Sequence, residues 1–249
     1  MNKEKISSNF AKATDQYDKF AHMQRQIGDY LIKKLQEESD IDLSNINTVL
    51  DLGSGTGYML EKLSNFLPKK TFYHINDIAP EMLAFTKQKF NHLQTESLCG
   101  DFDFLDCKFY DLIISNLAFQ WSGSIYKAIK KYYNHANNIF VFSCLLEGSF
   151  LNWGKILKQY CLEDFLIPYP EFDKLKNFVN LLPSKKIFFE IKEFTCSFEN
   201  AKSFLYYLKG LGAISGQKKL PFAKLKNIIK KENQRFAINY KVFFVVVKK

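Results

Sequence analysis

The sequence predicts an α/β fold, a largely parallel sheet with crossover helices on its faces, and three observations predict it. Between residues 46 and 143, short β-rich runs alternate with helix-length amphipathic stretches, as in successive strand-helix-strand units. The apolar run Val49-Leu50-Asp51-Leu52 feeds straight into glycines at three alternate positions, Gly53, Gly55 and Gly57. Acids stand at or just past the ends of three successive predicted strands: Asp51, Asp77 and Asp101.

Taken in order, residues 6–38 read as two helices, and strands are expected at 48–52, 72–76, 96–99, 110–115 and 138–143. Leu60, Leu63 and Phe66, then Met82, Leu83 and Phe85, recur at helical spacing and predict helices over 58–66 and 80–90. Residues 148–186 carry large aromatics (among them Phe150, Trp153, Tyr160, Phe165 and Tyr169) and are broken by Pro168 and Pro170. Unstructured loops beyond about 12–15 residues are uncommon, so this stretch reads as a helical insertion that forms a lid or binding segment. Two long β-runs, 188–198 and 240–248, close the sheet, with helices between them at 200–209 and 221–231. No repeat or flexible linker interrupts the chain. A single domain, 1–249, is expected: an N-terminal helical cap (1–45), a core (46–147), the insertion (148–186), and C-terminal strands with a basic helix (187–249).

Composition narrows the function. With 249 residues, 47% apolar and 16% aromatic, the chain has ample material for a large core, which excludes disorder. Its longest apolar run, 242–247, is six residues against the roughly 18 that span a bilayer, so no membrane association is expected. The N-terminus has no apolar h-region or small-residue cleavage site, which predicts a cytoplasmic protein. Five cysteines at wide spacings match neither a disulfide framework nor a metal site, and are expected to be reduced and mostly buried. The net charge of +9 is uneven: residues 201–249 hold 12 cations against Glu232 alone, whereas the first 200 residues are slightly acidic.

Glycine tolerates the positive φ of a sharp strand-to-helix turn and lets a ligand approach the backbone. The third glycine falls one position early for a dinucleotide fingerprint, and Asp51, two residues before the first, would repel a pyrophosphate. A ligand bearing an ammonium or sulfonium centre suits the position better. Asp77, 20 residues after Gly57, can accept from both hydroxyls of a ribose, and Asp101 can accept from an adenine amino group with the Phe102 ring beside it. In open α/β sheets ligands bind beyond the carboxyl ends of the strands, so these acids converge.

The ordered set VLDLGSGTG, INDIAPEML, GDF and YDLIISNLAFQW, across residues 48–121, resembles the motifs of class I S-adenosylmethionine-dependent methyltransferases. That resemblance implies a Rossmann-like sheet of seven strands with the last antiparallel. It puts S-adenosylmethionine (leaving as S-adenosylhomocysteine) over Gly53, Ser54 and Gly55, its ribose on Asp77 beside Ile78, and its adenine near Asp101 and Phe102. FAKATDQY (10–17), continuing through Ala21 to Gln24-Arg25-Gln26, SNLAFQW (115–121) and LKGLGA (208–213) further resemble the malonyl-acyl-carrier-protein O-methyltransferases of biotin synthesis. The resemblance covers nearly the whole chain, with the insertion matching only loosely.

Methylation of a carboxylate needs no general base, because the nucleophile is already ionised near pH 7. The four histidines agree with this, since none stands in a nucleophile-base motif. Tyr17 and Gln24, seven apart, share a face if their helix is continuous, and are expected over the cofactor mouth, with Tyr17 capping the sulfonium and Arg25 pairing with a carboxylate of cofactor or substrate. Asn116, Gln120 and Trp121 are expected beside the transferred methyl, the amides orienting the acyl group and Trp121 forming an apolar wall; Asn116 also touches the cofactor.

Helix 221–231 sets Phe222, Leu225 and Ile229 on one face and Lys224, Lys226, Lys230 and Lys231 largely outside it, with Lys218 and Lys219 flanking. Such a strip suits an acidic acyl carrier protein bearing malonyl, and no nucleic-acid motif accompanies it. A monomer is favoured. Two other readings remain open: a small-molecule methyltransferase acting on a quinone precursor or carboxylic acid, and an assembly factor that binds S-adenosylmethionine.

Overall fold

The computed structural model describes residues 2–38, 42–165, 167–213 and 221–249. Helices α1 (Lys3–Phe20) and α2 (His22–Glu38) lead into a sheet of β1 (Thr48–Leu52), β2 (Phe72–Asp77), β3 (Thr95–Cys99), β4 (Tyr110–Asn116), β5 (Ala136–Leu145), β6 (Lys186–Phe198) and β7 (Phe236–Lys248). The crossover helices are α3 (Tyr58–Ser64), α4 (Pro80–Lys89) and α5 (Ile125–His135). The insertion holds α6 (Leu151–Gln159) and α7 (Phe172–Asn180), and α8 (Ala201–Gly210) and α9 (Phe222–Lys231) connect β6 to β7.

The seven strands lie in the order β3-β2-β1-β4-β5-β7-β6. The first five pair in parallel, and β7 runs antiparallel to both its neighbours. The strand order reverses at β1, which pairs with β2 on one side and β4 on the other, so the crevice for a ligand opens between the carboxyl ends of β1 and β4.

Both faces of the central strands are covered, which is why their sequences read as unbroken apolar runs. Val49, Ile114, Val141 and Phe244 pack on one face, under α2, α3, α6 and α8; Leu50, Ile113, Phe142 and Phe243 pack on the other, under α5 and α7. Edge strand β3 is polar and half-exposed, which discourages pairing with another chain.

The two helices expected at the N-terminus are found, separated at Ala21. Three expectations need correction. Helix α5, absent from the helices expected above, fills the gap before β5 and buries Ala128, Ile129, Tyr132 and Tyr133; two of these four are tyrosines, so its apolar spacing is muted in the sequence. Of the five free cysteines only Cys144 is buried; Cys99 lies exposed on edge strand β3, and Cys161 in the exposed turn after α6. Finally, α9 centres its packed face on Ile228 and leaves Phe222, at its first position, 80% exposed.

Candidate active site

The turn after β1 places a glycine with positive φ at each alternate position, Gly53 at 65° and Gly55 at 54°, with Gly57 following. At Gly53 a second constraint applies, because a Cβ there would lie 2.4 Å from the Cβ of Ala118. The turn is therefore clamped between β1 and the segment after β4. Further ties hold it: the Ser54 N–H donates to the Asn76 carbonyl (2.8 Å), the Gly55 N–H to Asp77 Oδ2 (2.9 Å), and the Thr56 hydroxyl to Asp18 Oδ1 (2.6 Å).

Asp51 and Asp77 are both buried beneath this turn. Asp77 accepts from the backbone N–H groups of Gly55 and Ala79, whereas neither oxygen of Asp51 has a partner among the described residues. Burial, aided by the neighbouring Asp77, pushes the Asp51 carboxyl up to about 7. Burial likewise pushes Asp77 up to about 6, against the opposing backbone N–H groups of Ala79, Gly55 and Ile78. A cation placed here would favour the ionised forms of both.

Asp101 Oδ1 accepts from Lys3 Nζ (2.9 Å) and from the Asp103 N–H (3.1 Å), while its buried Oδ2 is unpartnered. Asp103, which sequence reasoning passed over, is the hub of this corner. It accepts from Lys3 (3.1 Å), the Ser122 hydroxyl (2.6 Å) and the Gly123 N–H (2.7 Å), and these contacts outweigh its burial and hold its carboxyl below the usual range.

One cavity joins these groups. Its walls include Lys3, Tyr17, Gln24, Arg25, Ser54, Gly55, Asp77, Ile78, Asp101, Phe102, Asn116, Gln120 and Trp121. Among the described residues, nine buried side-chain polar atoms lack a hydrogen-bond partner, and all but His74 Nδ1 belong to this wall or to Asp51 beneath it. Buried polar groups are ordinarily satisfied, so such a concentration marks where a polar ligand completes the set.

The break at Ala21 does not scatter the N-terminal residues. Tyr17 lies in the last turn of α1, Gln24 and Arg25 in the first turn of α2, and all three reach the cavity from its corner, with the Tyr17 ring 4.0 Å from where a Cβ on Gly55 would stand. Arg25 pairs with Asp18 (3.0 Å) and lies over the Tyr58 ring, with its Nε buried and free. Asn116 is largely committed: its Oδ1 accepts from Ser143 (2.6 Å) and its amide donates to the Gln24 carbonyl (3.0 Å). Gln120 donates to the Leu117 carbonyl (2.6 Å) and keeps an unpartnered buried Oε1. Between them, Leu117 adopts φ 52°, an unfavourable conformation for a non-glycine residue that turns the chain into the cavity.

Trp121 lines the cavity too; its ring meets Phe10 edge-on at 5.6 Å and its carbonyl accepts from Lys3 (2.8 Å), the lysine that also binds Asp101. Lys224 departs from expectation: its ammonium donates to the carbonyls of Tyr160 (2.8 Å) and Cys161 (3.3 Å), fastening α9 to the turn after α6. Lys226, Lys230 and Lys231 are exposed, and Lys218 and Lys219 lie outside the described residues.

The same cavity also has an apolar and aromatic stretch of wall, a chamber formed by Phe150, Trp153, Leu157, Tyr169, Leu205, Leu208 and Tyr240.

Comparison with known proteins agrees with this geometry. A family described as methyltransferase domain matches residues 49–138. The chain is 25% identical to the malonyl-[acyl-carrier protein] O-methyltransferase of Neorickettsia risticii, over 99% of this chain and 97% of that one. It is 29% identical to malonyl-[acyl-carrier protein] O-methyltransferase 2 of Coxiella burnetii, over 99% and 96%. In fold it matches the YcgJ protein of Bacillus subtilis (TM-score 0.62, 12% identity, 89% and 98% covered). It also matches magnesium protoporphyrin IX methyltransferase of Synechocystis, solved with S-adenosylhomocysteine (TM-score 0.60, 13% identity, 100% of both). Residues 49–138 thus form a methyltransferase domain, and the fold is that of class I, S-adenosylmethionine-dependent methyltransferases. Within that class, the full-length similarity is to malonyl-acyl-carrier-protein O-methyltransferases.

Proposed function

We propose that the chain methyl-esterifies the free carboxylate of a malonyl group borne on acyl carrier protein. The observation that carries the reading is the apolar, aromatic stretch of cavity wall formed by Phe150, Trp153, Leu157, Tyr169, Leu205, Leu208 and Tyr240. Among the described residues no histidine lines the cavity to serve as a general base, which suits a nucleophile that arrives already ionised, as a carboxylate does. The named relatives, similar from end to end, supply the identity of the acyl carrier.

The residues present fit S-adenosylmethionine. Asp51 and Asp77 would face its cationic centres, Asp77 its ribose, the free oxygen of Asp101 its adenine amino group with Phe102 against the ring, and Arg25 Nε its carboxylate. When bound, the cofactor would supply a methyl on a sulfonium: a substrate carboxylate oxygen would form the new O–CH3 bond as the S–CH3 bond breaks, the electron pair staying on sulfur and no proton moving. Positive and negative charge vanish together in this step, so a dry, low-dielectric chamber favours it. The chain's own work is alignment, which in favourable cases is worth about 7–11 kcal/mol. Tyr17 holds the top of the reacting centre over Gly55, and Asn116, fixed by Ser143 and Gln24, holds its side.

On this reading residues 1–45 cap the cofactor, 46–147 hold it, 148–186 roof the acyl chamber, and 187–249 carry the partner-facing helix of a cytoplasmic enzyme. Exposed Lys226, Lys230 and Lys231 would steer an acidic carrier protein, and the ester would mask a charged end so that chain elongation toward biotin can use it. Incubating the protein with methyl-labelled S-adenosylmethionine and malonyl carrier protein is expected to give a base-labile labelled ester. No ester under conditions where the cofactor is bound overturns the proposal.

A further inference from the structure

The aromatic stretch of the cavity wall offers one arrangement of neutral donors suited to a carboxylate. Tyr240 from β7 lines the chamber and is 2% exposed; its hydroxyl lies 3.0 Å from that of Tyr207 on α8, itself 3% exposed. Two hydroxyls that share one hydrogen bond carry two protons and use only one between them. With the Gln24 amide also hydrogen-bonded to Tyr207, the contacts among the described residues give no acceptor for the second proton, and a buried O–H without a partner is unfavourable.

Their surroundings tie this pair to the reacting centre. The Gln24 amide, on the cavity wall beside Asn116, acts on the Tyr207 hydroxyl, and the Tyr207 hydroxyl is near enough to Tyr17 to act on it electrostatically. Tyr169, on the chamber wall, likewise acts on Tyr240. Burial raises the titration of both members of the pair, Tyr207 to about 12, so they remain hydroxyl donors throughout the neutral range.

We infer that the Tyr207–Tyr240 hydroxyl pair positions the substrate by donating to the carboxylate oxygen that does not attack the methyl. This rests on the esterification reading and names the residues that receive the acid. A neutral donor suits the chemistry better than arginine. The carboxylate loses its charge as the reaction proceeds, so a fixed cation would stabilise the starting state more than the transition state, whereas a hydroxyl orients the group with less of that penalty.

The test compares Y207F, Y240F and the double variant with the wild-type protein, using malonyl carrier protein and malonyl-CoA as substrates and the corresponding malonyl-CoA methyl ester as product inhibitor. Phenylalanine keeps the ring packing, and the thermal midpoint and S-adenosylhomocysteine affinity of each variant report whether the fold and cofactor site survive. The expected result is a KM for both acids raised about tenfold or more, a smaller change in kcat, unchanged S-adenosylhomocysteine affinity, and unchanged inhibition by the ester, which presents no charge to the pair. Wild-type KM in all three variants, or equal loss of acid and ester affinity, overturns the assignment while esterification stands. A wild-type protein that binds cofactor and makes no ester removes the esterification reading itself, and the tyrosine assignment with it.

Discussion

Lys3 donates to Asp101 at 2.9 Å across 98 residues of sequence, fastening the first turn of the first helix to the loop after β3. The same ammonium reaches Asp103 and the Trp121 carbonyl, and four residues on Ser7 donates to the Ile78 carbonyl (2.9 Å). Helix α1 therefore runs along the cavity from Asp101 to Gly55, where Tyr17 sits. Its far end is held by α8, where a Cβ at Gly210 would come within 2.1 Å of the Phe20 ring, and its middle by the turn after α8, where one at Gly212 would come within 2.8 Å of the Asn9 carbonyl.

Replacing Lys3 with Met should loosen this closure and leave two carboxylates facing each other. The pair is largely shielded, with side chains 24% and 12% exposed, so a loss of about 1–2 kcal/mol in cofactor binding is expected, a five- to thirtyfold rise in the Kd for S-adenosylhomocysteine. Calorimetric titration measures it, and an unchanged Kd reduces Lys3 to surface decoration.

The two acids beneath the glycine turn predict a pH dependence with a definite sign. Both carboxyls titrate higher in the folded protein than in the unfolded chain, so their contribution to stability is present when they are protonated and is lost as pH rises through about 6 to 7. The free protein should lose thermal stability between pH 5 and 7.5, while affinity for S-adenosylmethionine should rise over the same range and binding should release protons. Asp51→Asn should flatten both curves. Titrations in buffers of different ionisation enthalpy read the proton release directly.

Gly53→Ala should be severe for so small a change. The residue needs φ 65° and a Cβ would overlap Ala118, so about 2–4 kcal/mol of stability should be lost, together with cofactor binding. Denaturant unfolding measures the first, and loss below 1 kcal/mol would show that the turn relaxes freely.

Much of this architecture is written in local sequence. Strand β1 runs into its alternating glycines, and Asp51, Asp77 and Asp101 fall at strand ends, because hydrophobic period and backbone conformation act over a few residues. What is not legible depends on contacts between distant segments. Lys3 is one lysine among many until α1 docks, Asp103 gains its role from Ser122 and Gly123 across a loop, and the Trp121 ring meets Phe10 only once α1 lies against the segment after β4. The positive φ of Leu117 has no signal at all in a leucine. Helix α9 shows both sides: its amphipathic period is plain, but that Lys224 fastens the helix to α6 depends on where α6 ends.

That distinction separates the lysines by experiment. Reversing exposed Lys226, Lys230 and Lys231 to Glu should lower kcat/KM for malonyl carrier protein about fivefold or more through slower encounter, and leave malonyl-CoA turnover nearly unchanged. Lys224→Glu should instead lower the thermal midpoint, because it breaks an internal contact. Equal effects of the triple reversal on both substrates would remove the carrier-docking role.

The most direct test is a calorimetric titration of the free protein with S-adenosylhomocysteine, run beside Asp77→Ala. A single saturable site, weakened at least tenfold by the substitution, is the predicted result; no binding heat in the wild-type protein, or wild-type affinity in the variant, contradicts a cofactor held by the acids at the glycine turn.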